Sequence, residues 1–147
     1  MEIGSIDCIS SVWLLDNILT DKSSRLVKIL PHNINVPMQY YNQITIKQGS
    51  SRNVLIESAY MKEDYDFVYI DGDHSAQSVL QDAVLAFPLL KPQSIMIFND
   101  YLWKINNKEP NEVNLRIPKN AIDIFLTIYA DKISILCVDD QVIIEKL

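Results

Sequence analysis

Glycine is scarce in this chain, with only Gly4, Gly49 and Gly72 among 147 residues. Each follows a strand-like run, where glycine lets the backbone turn sharply or approach a ligand closely, so the three point to one ligand-facing edge. Cysteine is as rare. Cys8 and Cys137 form no CxxC and no Cys/His cluster, which argues against a structural zinc site and leaves them as small, semi-buried side chains. No apolar run approaches the roughly 18 residues of a membrane span. The opening MEIGSIDC has an acid at position 2 and no basic stretch, which argues against a signal peptide, so a cytoplasmic location is expected. Basic charge is short too. The net charge is −6 and Lys and Arg are scattered singly, which disfavours a nucleic-acid groove. With nucleic acid and membrane set aside, the expected partner is a small molecule, and self-association is left open.

What is present is a core. Apolar residues make up 48% of a chain long enough for one domain, taken as residues 1–147. The stretch around which the rest is organised is Tyr65 to His74, YDFVYIDGDH. Phe67 to Ile70 is an unbroken β-branched and aromatic run, the mark of a strand buried on both faces of a parallel sheet. It stops at Asp71-Gly72-Asp73-His74, and helical spacing then begins at Val79, Leu80, Ala83, Val84 and Phe87. That puts the acids at the carboxyl edge of a sheet, where open α/β folds bind ligands.

Strands are expected at Met1–Ile3, Leu26–Leu30, Ile44–Lys47 and Ser94–Phe98, with a closing hairpin of Ile133–Val138 and Gln141–Lys146 about Asp139-Asp140. Helices are expected at Ser10–Thr20, capped by Ser10 or Ser11 with Trp13 in the core, at Ser50–Tyr60, and at Pro118–Tyr129 with proline at its start. Lys104 to Arg116 reads as a surface loop. The fold class is α/β: a Rossmann-like, mostly parallel sheet with helices on both faces and an antiparallel C-terminal hairpin.

Asp71 and Asp73 read either as caps of the following helix or as functional acids. His74 reads as a general base, since neutral imidazole can take a proton from a hydroxyl near pH 7, or as a plain loop histidine. Tyr101 and Trp103 either floor an acceptor pocket or simply pack. The strands ending at Ile70 and Phe98 both finish in oxygen-bearing side chains. If adjacent, about 4.8 Å apart, they can bring Asp71, Asn99 and Asp100 onto one hard cation such as Mg²⁺, Ca²⁺ or Mn²⁺; the alternative is that Asn99 and Asp100 merely turn the chain after the strand. No GxGxxG follows the first strand, which argues against a nucleotide-binding oxidoreductase.

EIGS at Glu2–Ser5, YDFVYIDGDHS at Tyr65–Ser75 and PLLKPQSIMIFNDYLW at Pro88–Trp103 resemble, in this order, the class I S-adenosylmethionine-dependent methyltransferases. The likeness is to the small-molecule O-methyltransferase-like branch. It implies a seven-stranded sheet with S-adenosylmethionine over the carboxyl ends of the early strands. Glu2, Gly4 and Ser5 would then lie near its methionine part, Gly49 to Ser51 near the adenine, and Asp71 near the transferred methyl. It also implies a metal-assisted O-methylation at Asp71, Asn99 and Asp100. The chain departs from the pattern in four places. Cys8 stands where a second loop glycine is common and would crowd the cofactor. Leu30 replaces the acid that usually meets the ribose hydroxyls. Gln93-Ser94 replaces Gly-Gly, and the order is Asn99-Asp100 where Asp comes first elsewhere. Two function classes follow: methyl transfer to an oxygen of a small molecule, or a weak or inactive methyltransferase-fold domain serving as a binding or oligomerisation module.

Overall fold

The structure, a computed structural model, describes residues 1–5, 7–60, 62–103 and 117–147. Among the described residues seven strands form one sheet: β1 (Glu2–Gly4), β2 (Leu26–Leu30), β3 (Ile44–Gln48), β4 (Tyr65–Asp71), β5 (Leu90–Phe98), β6 (Ile133–Val138) and β7 (Val142–Lys146). They lie in the order β3-β2-β1-β4-β5-β7-β6. The first five are parallel, while β7 runs antiparallel to both β5 and β6. The expected α/β fold class is therefore the one observed. No helix among the described residues is long and apolar enough to cross a membrane. The surface loop expected at Lys104–Arg116 lies outside the described residues.

Among the described residues four α-helices join the sheet: α1 (Ile9–Asn17), α2 (Ser51–Glu57), α3 (Ala76–Ala86) and α4 (Pro118–Ile128), with short 3-10 turns at Met38–Tyr40 and Phe87–Leu89. Strand pleating explains two separate cores. Successive side chains point to opposite faces, so Val27 and Ile29 of β2 join the larger cluster with α2, α3 and α4, while Leu26 packs with Leu15 of α1, Tyr40 and Ile44. Caps follow the loop chemistry. Ser50 and Ser75 accept from the backbone N–H of Asn53 and Ser78, both at 3.3 Å, at the starts of α2 and α3.

Several local expectations are corrected. Cys8, not Ser10 or Ser11, precedes α1 and makes no side-chain cap bond, because both serines are engaged beneath the helix. Trp13 is 55% exposed rather than core, since α1 carries apolar residues on more than its buried face. Val84 is likewise exposed, and so is Cys137 on the edge strand β6. The fifth strand begins at Leu90, not Ser94. Its pairing with β4 jumps from Tyr65↔Leu90 to Phe67↔Ile95, and this irregularity accommodates Pro92 and Gln93, the latter at φ +61°.

The strand order fixes where a ligand can sit. From β1 the chain steps outward to β2 and β3, then returns to the other side of β1 as β4. The crevice beyond the carboxyl ends of β1 and β4 is the topological switch point of this sheet.

Candidate active site

A cleft of about 730 Å³ opens at that switch point, within the roughly 300–1,000 Å³ of small-molecule sites. All three glycines line it, as the sequence suggested. Its floor is backbone. Gly4 has φ +87°, and a Cβ there would stand 2.2 Å from the Asp71 carbonyl oxygen. Next to it the Ser5 N–H donates to that same oxygen at 2.9 Å, so the loops after β1 and β4 are stitched together. Ser5, Ser51 and Asp71 also line the cleft, with Leu30 where an acid was expected by resemblance. Cys8, expected to crowd a cofactor, is not among the lining residues; it borders a smaller, neighbouring cavity with Asn33 and Asn35, and Asp7 lines both.

Glu2 is placed differently from the sequence expectation. It is fully buried, does not line the cleft, and its carboxylate faces α1. There it accepts from the hydroxyls of Ser10 and Ser11 and pairs with Lys28 Nζ at 3.0 Å, both partners being wholly inaccessible. Lys28 also donates to Ser11 Oγ at 3.1 Å. Ser5 connects the cleft to this network through Ser10, their hydroxyls 2.8 Å apart.

The acid cluster does converge. β4 and β5 are adjacent and in register at Ile70↔Phe98, which brings Asp71 beside Asn99 and Asp100. Asn99 Nδ2 donates to Asp71 Oδ1 at 2.7 Å and to Asp100 Oδ2 at 3.0 Å. That Asp100 oxygen also lies 2.9 Å from His74 Nδ1, and the His74 ring stacks on Trp103 with centroids 5.2 Å apart. Burial pushes the Asp71 carboxyl above its ordinary value, the Asn99 bond opposes this, and the Asp100 charge adds to it. Behind the cluster, Gln141 Nε2 donates to Asn99 Oδ1 at 2.8 Å and to the Tyr69 hydroxyl at 3.2 Å. Burial also raises the Tyr69 phenol, keeping its proton in place. Among the described residues no three His, Cys, Asp or Glu side chains cluster as a metal site. The two carboxylates offer oxygens that suit a hard cation and no soft one, while the Asn99 amide presents its N–H edge to them and its oxygen to Gln141. Tyr101 turns away to Asp123 and Lys119, at 2.8 and 2.6 Å.

Of the loop acids, Asp73 does not cap α3 itself but holds its cap residue: it accepts from the Ser75 N–H at 3.2 Å and from the hydroxyls of Ser75 and Ser78 at 2.9 and 3.0 Å. These bonds hold its carboxyl below the usual range. Asp71 caps nothing.

Sequence reasoning did not single out Asp82. It lies on the buried side of α3 at the back of the cleft, 2% exposed, and its Oδ1 has no partner. Burial raises its carboxyl to about 6, with the Ser51 hydroxyl pulling down and the Asp73 charge pushing up. A folded chain that keeps a proton the unfolded chain loses near pH 4 is destabilised as pH climbs from that value through about 6. Relative to Asp82→Asn, the wild type should therefore lose up to about 3 kcal/mol over that window and nothing further above it. Urea unfolding of both proteins between pH 4 and about 7.5 checks this; parallel profiles would rule it out. The sequence signal was an acid placed three after Val79, on the apolar stripe of a helix. Lys28 carried a similar signal, a charge inside the apolar run LVKIL.

The family described as "Methyltransferase domain" matches residues 1–101. No curated protein matches the chain in sequence. Solved structures do match in fold. MycE methyltransferase from the mycinamycin biosynthetic pathway, in complex with Mg, SAH and mycinamycin VI, aligns with TM-score 0.71 at 16% identity, over 99% of this chain and 43% of that one. The O-methyltransferase of Bacillus cereus in complex with SAH aligns with TM-score 0.66 at 18% identity, over 99% and 72%. TomG of Streptomyces achromogenes, an O-methyltransferase of tomaymycin synthesis in complex with SAM, gives 0.68 and 14%, over 99% and 71%. This chain thus spans less than half the length of MycE. The fold is that of the class I small-molecule O-methyltransferases and, with a family match over more than half its length, the chain belongs to the methyltransferase domain family.

Proposed function

We propose that the chain transfers the methyl group of S-adenosylmethionine to an oxygen of a small molecule, with a divalent cation held by Asp71, Asn99 and Asp100. The observation that carries this reading is that Asp71 and His74 line the switch-point cleft while Asp71 shares Asn99 with Asp100. When bound, S-adenosylmethionine supplies an electrophilic methyl, and a hard cation favours the deprotonated form of the acceptor hydroxyl. The chain's own residues then have defined tasks. Gly4, Ser5, Gly49 and Ser51 form the cofactor wall, with Gly49 and Ser51 toward the adenine. Asp71, Asn99 and Asp100 fix the acceptor oxygen near the transferred methyl. Asp100 orients His74 through Nδ1, leaving Nε2 to take the acceptor's proton.

The end of β2 offers no ribose-binding acid, since Leu30 stands there. One charged hydrogen bond lost there weakens binding by about 1.5–3 kcal/mol. Binding of S-adenosylmethionine or S-adenosylhomocysteine is accordingly expected between roughly tens of micromolar and millimolar. Leu30→Asp should tighten it about tenfold or more, with thermal unfolding run alongside because the position is buried. Isothermal calorimetry with S-adenosylhomocysteine is the deciding experiment. No heat and no thermal shift at millimolar ligand would remove the reading. It would favour the second one, a binding or oligomerisation module, for which Leu30 is the supporting observation.

A further inference from the structure

Gln141, just before β7, is not among the residues lining the cleft and reaches the acid cluster from behind. Its amide and that of Asn99 face each other, Nε2 to Oδ1 at 2.8 Å, with the Tyr69 hydroxyl 3.2 Å from the same Nε2. A carboxamide donates at one end and accepts at the other. The orientation of either amide therefore dictates that of its neighbour.

Two arrangements satisfy the whole chain. In the one seen, the Asn99 N–H groups point at Asp71 and Asp100 at 2.7 and 3.0 Å, and their positive edge holds two carboxylates together. In the other, both amides are turned by half a revolution. Asn99 Oδ1 then faces the acids, its Nδ2 donates to Gln141 Oε1, and the Tyr69 hydroxyl donates to that same oxygen. Three oxygens now face one point, which is repulsive when empty and favourable around a hard cation. A mixed state sets donor against donor or acceptor against acceptor between Asn99 and Gln141, which their contact forbids.

We propose that Gln141 is a positioning residue that couples cation binding at Asp71, Asn99 and Asp100 to a concerted turn of the Asn99 and Gln141 amides and the Tyr69 hydroxyl. The inference rests on the cation reading above and adds to it how the chain registers the ion. Ligand-orienting partners of this kind typically govern about 10–100-fold of metal affinity.

The test uses the whole chain, labelled with ¹⁵N, and needs no methyl acceptor. Side-chain NH₂ signals of Asn99 and Gln141 are assigned by their loss in Asn99→Asp and Gln141→Glu, then followed in the wild type during a Mg²⁺ titration. Both pairs should shift together along one binding curve. Mn²⁺ affinity by electron paramagnetic resonance should fall about 10–100-fold in Gln141→Leu. It should be kept in Gln141→Glu, whose carboxylate only accepts and so holds Asn99 turned toward the ion. Mg²⁺ binding that moves Asn99 but leaves Gln141 in place, or unchanged Mn²⁺ affinity in Gln141→Leu, overturns the coupling while the cation reading stands. A wild type that binds neither ion removes both. The wild-type titration decides the matter even where the leucine variant fails to fold.

Discussion

Asp71→Ala is expected to lower methyl transfer by about 10³-fold or more while leaving the chain folded. The side chain lines the cleft and holds one side of the Asn99 amide, so it stands where acceptor, cofactor and cation are proposed to meet. Its removal costs the fold little. Asp71 is only partly buried, caps no helix, and its carboxyl is raised by burial and by the neighbouring Asp100, so the charge is tolerated rather than needed. The measurement is S-adenosylhomocysteine released from S-adenosylmethionine across a panel of hydroxylated small molecules, with circular dichroism to verify folding. A variant within tenfold of the wild type would take Asp71 out of the reaction.

His74→Ala should reduce the same activity by about 10²–10⁴-fold and leave cofactor affinity nearly unchanged. The structure gives this residue what a base needs: a carboxylate on Nδ1 at 2.9 Å, a stacked Trp103 holding the ring plane, and a place on the cleft wall. A loop histidine with no task would not be expected to have all three. His74→Gln separates the roles, since it can keep a hydrogen bond to Asp100 but cannot take up the proton. It should be as slow as the alanine variant. Full activity in either variant would return His74 to a packing role.

Most of the sheet was readable in the sequence because its strands are buried runs cut off by Pro31, Gly49 or polar pairs, and such boundaries are local. β2 and β6 match their expected limits, and β7 begins one position later than expected. The convergence of Asp71, Asn99 and Asp100 was readable for the same reason, since both strands end in oxygen-bearing side chains. What was missed depends on which face a residue takes. Glu2 was assigned to the cofactor from its place in EIGS, yet the pleat turns it toward α1, and only tertiary pairing shows that Lys28 waits there. Trp13 fits an apolar helix pattern, but α1 has more apolar positions than its contact with the sheet can cover. Gln141 and Tyr69 are 72 residues apart, and nothing local reveals that they meet.

The buried Glu2–Lys28 pair has a consequence for how β1 finds its place. A three-residue strand has too few apolar positions to choose its own alignment. Here Glu2 pairs with Lys28 across β1 and β2, and α1 supplies two hydroxyls to the same carboxylate. A slip of one residue would turn Glu2 to the opposite face and leave two charges buried without each other, at a cost of several kcal/mol. The pair thus acts as an alignment key. It contributes little net stability beyond what a well-packed apolar pair would give, but it penalises every wrong alignment of the strand that carries Gly4 to the cleft floor.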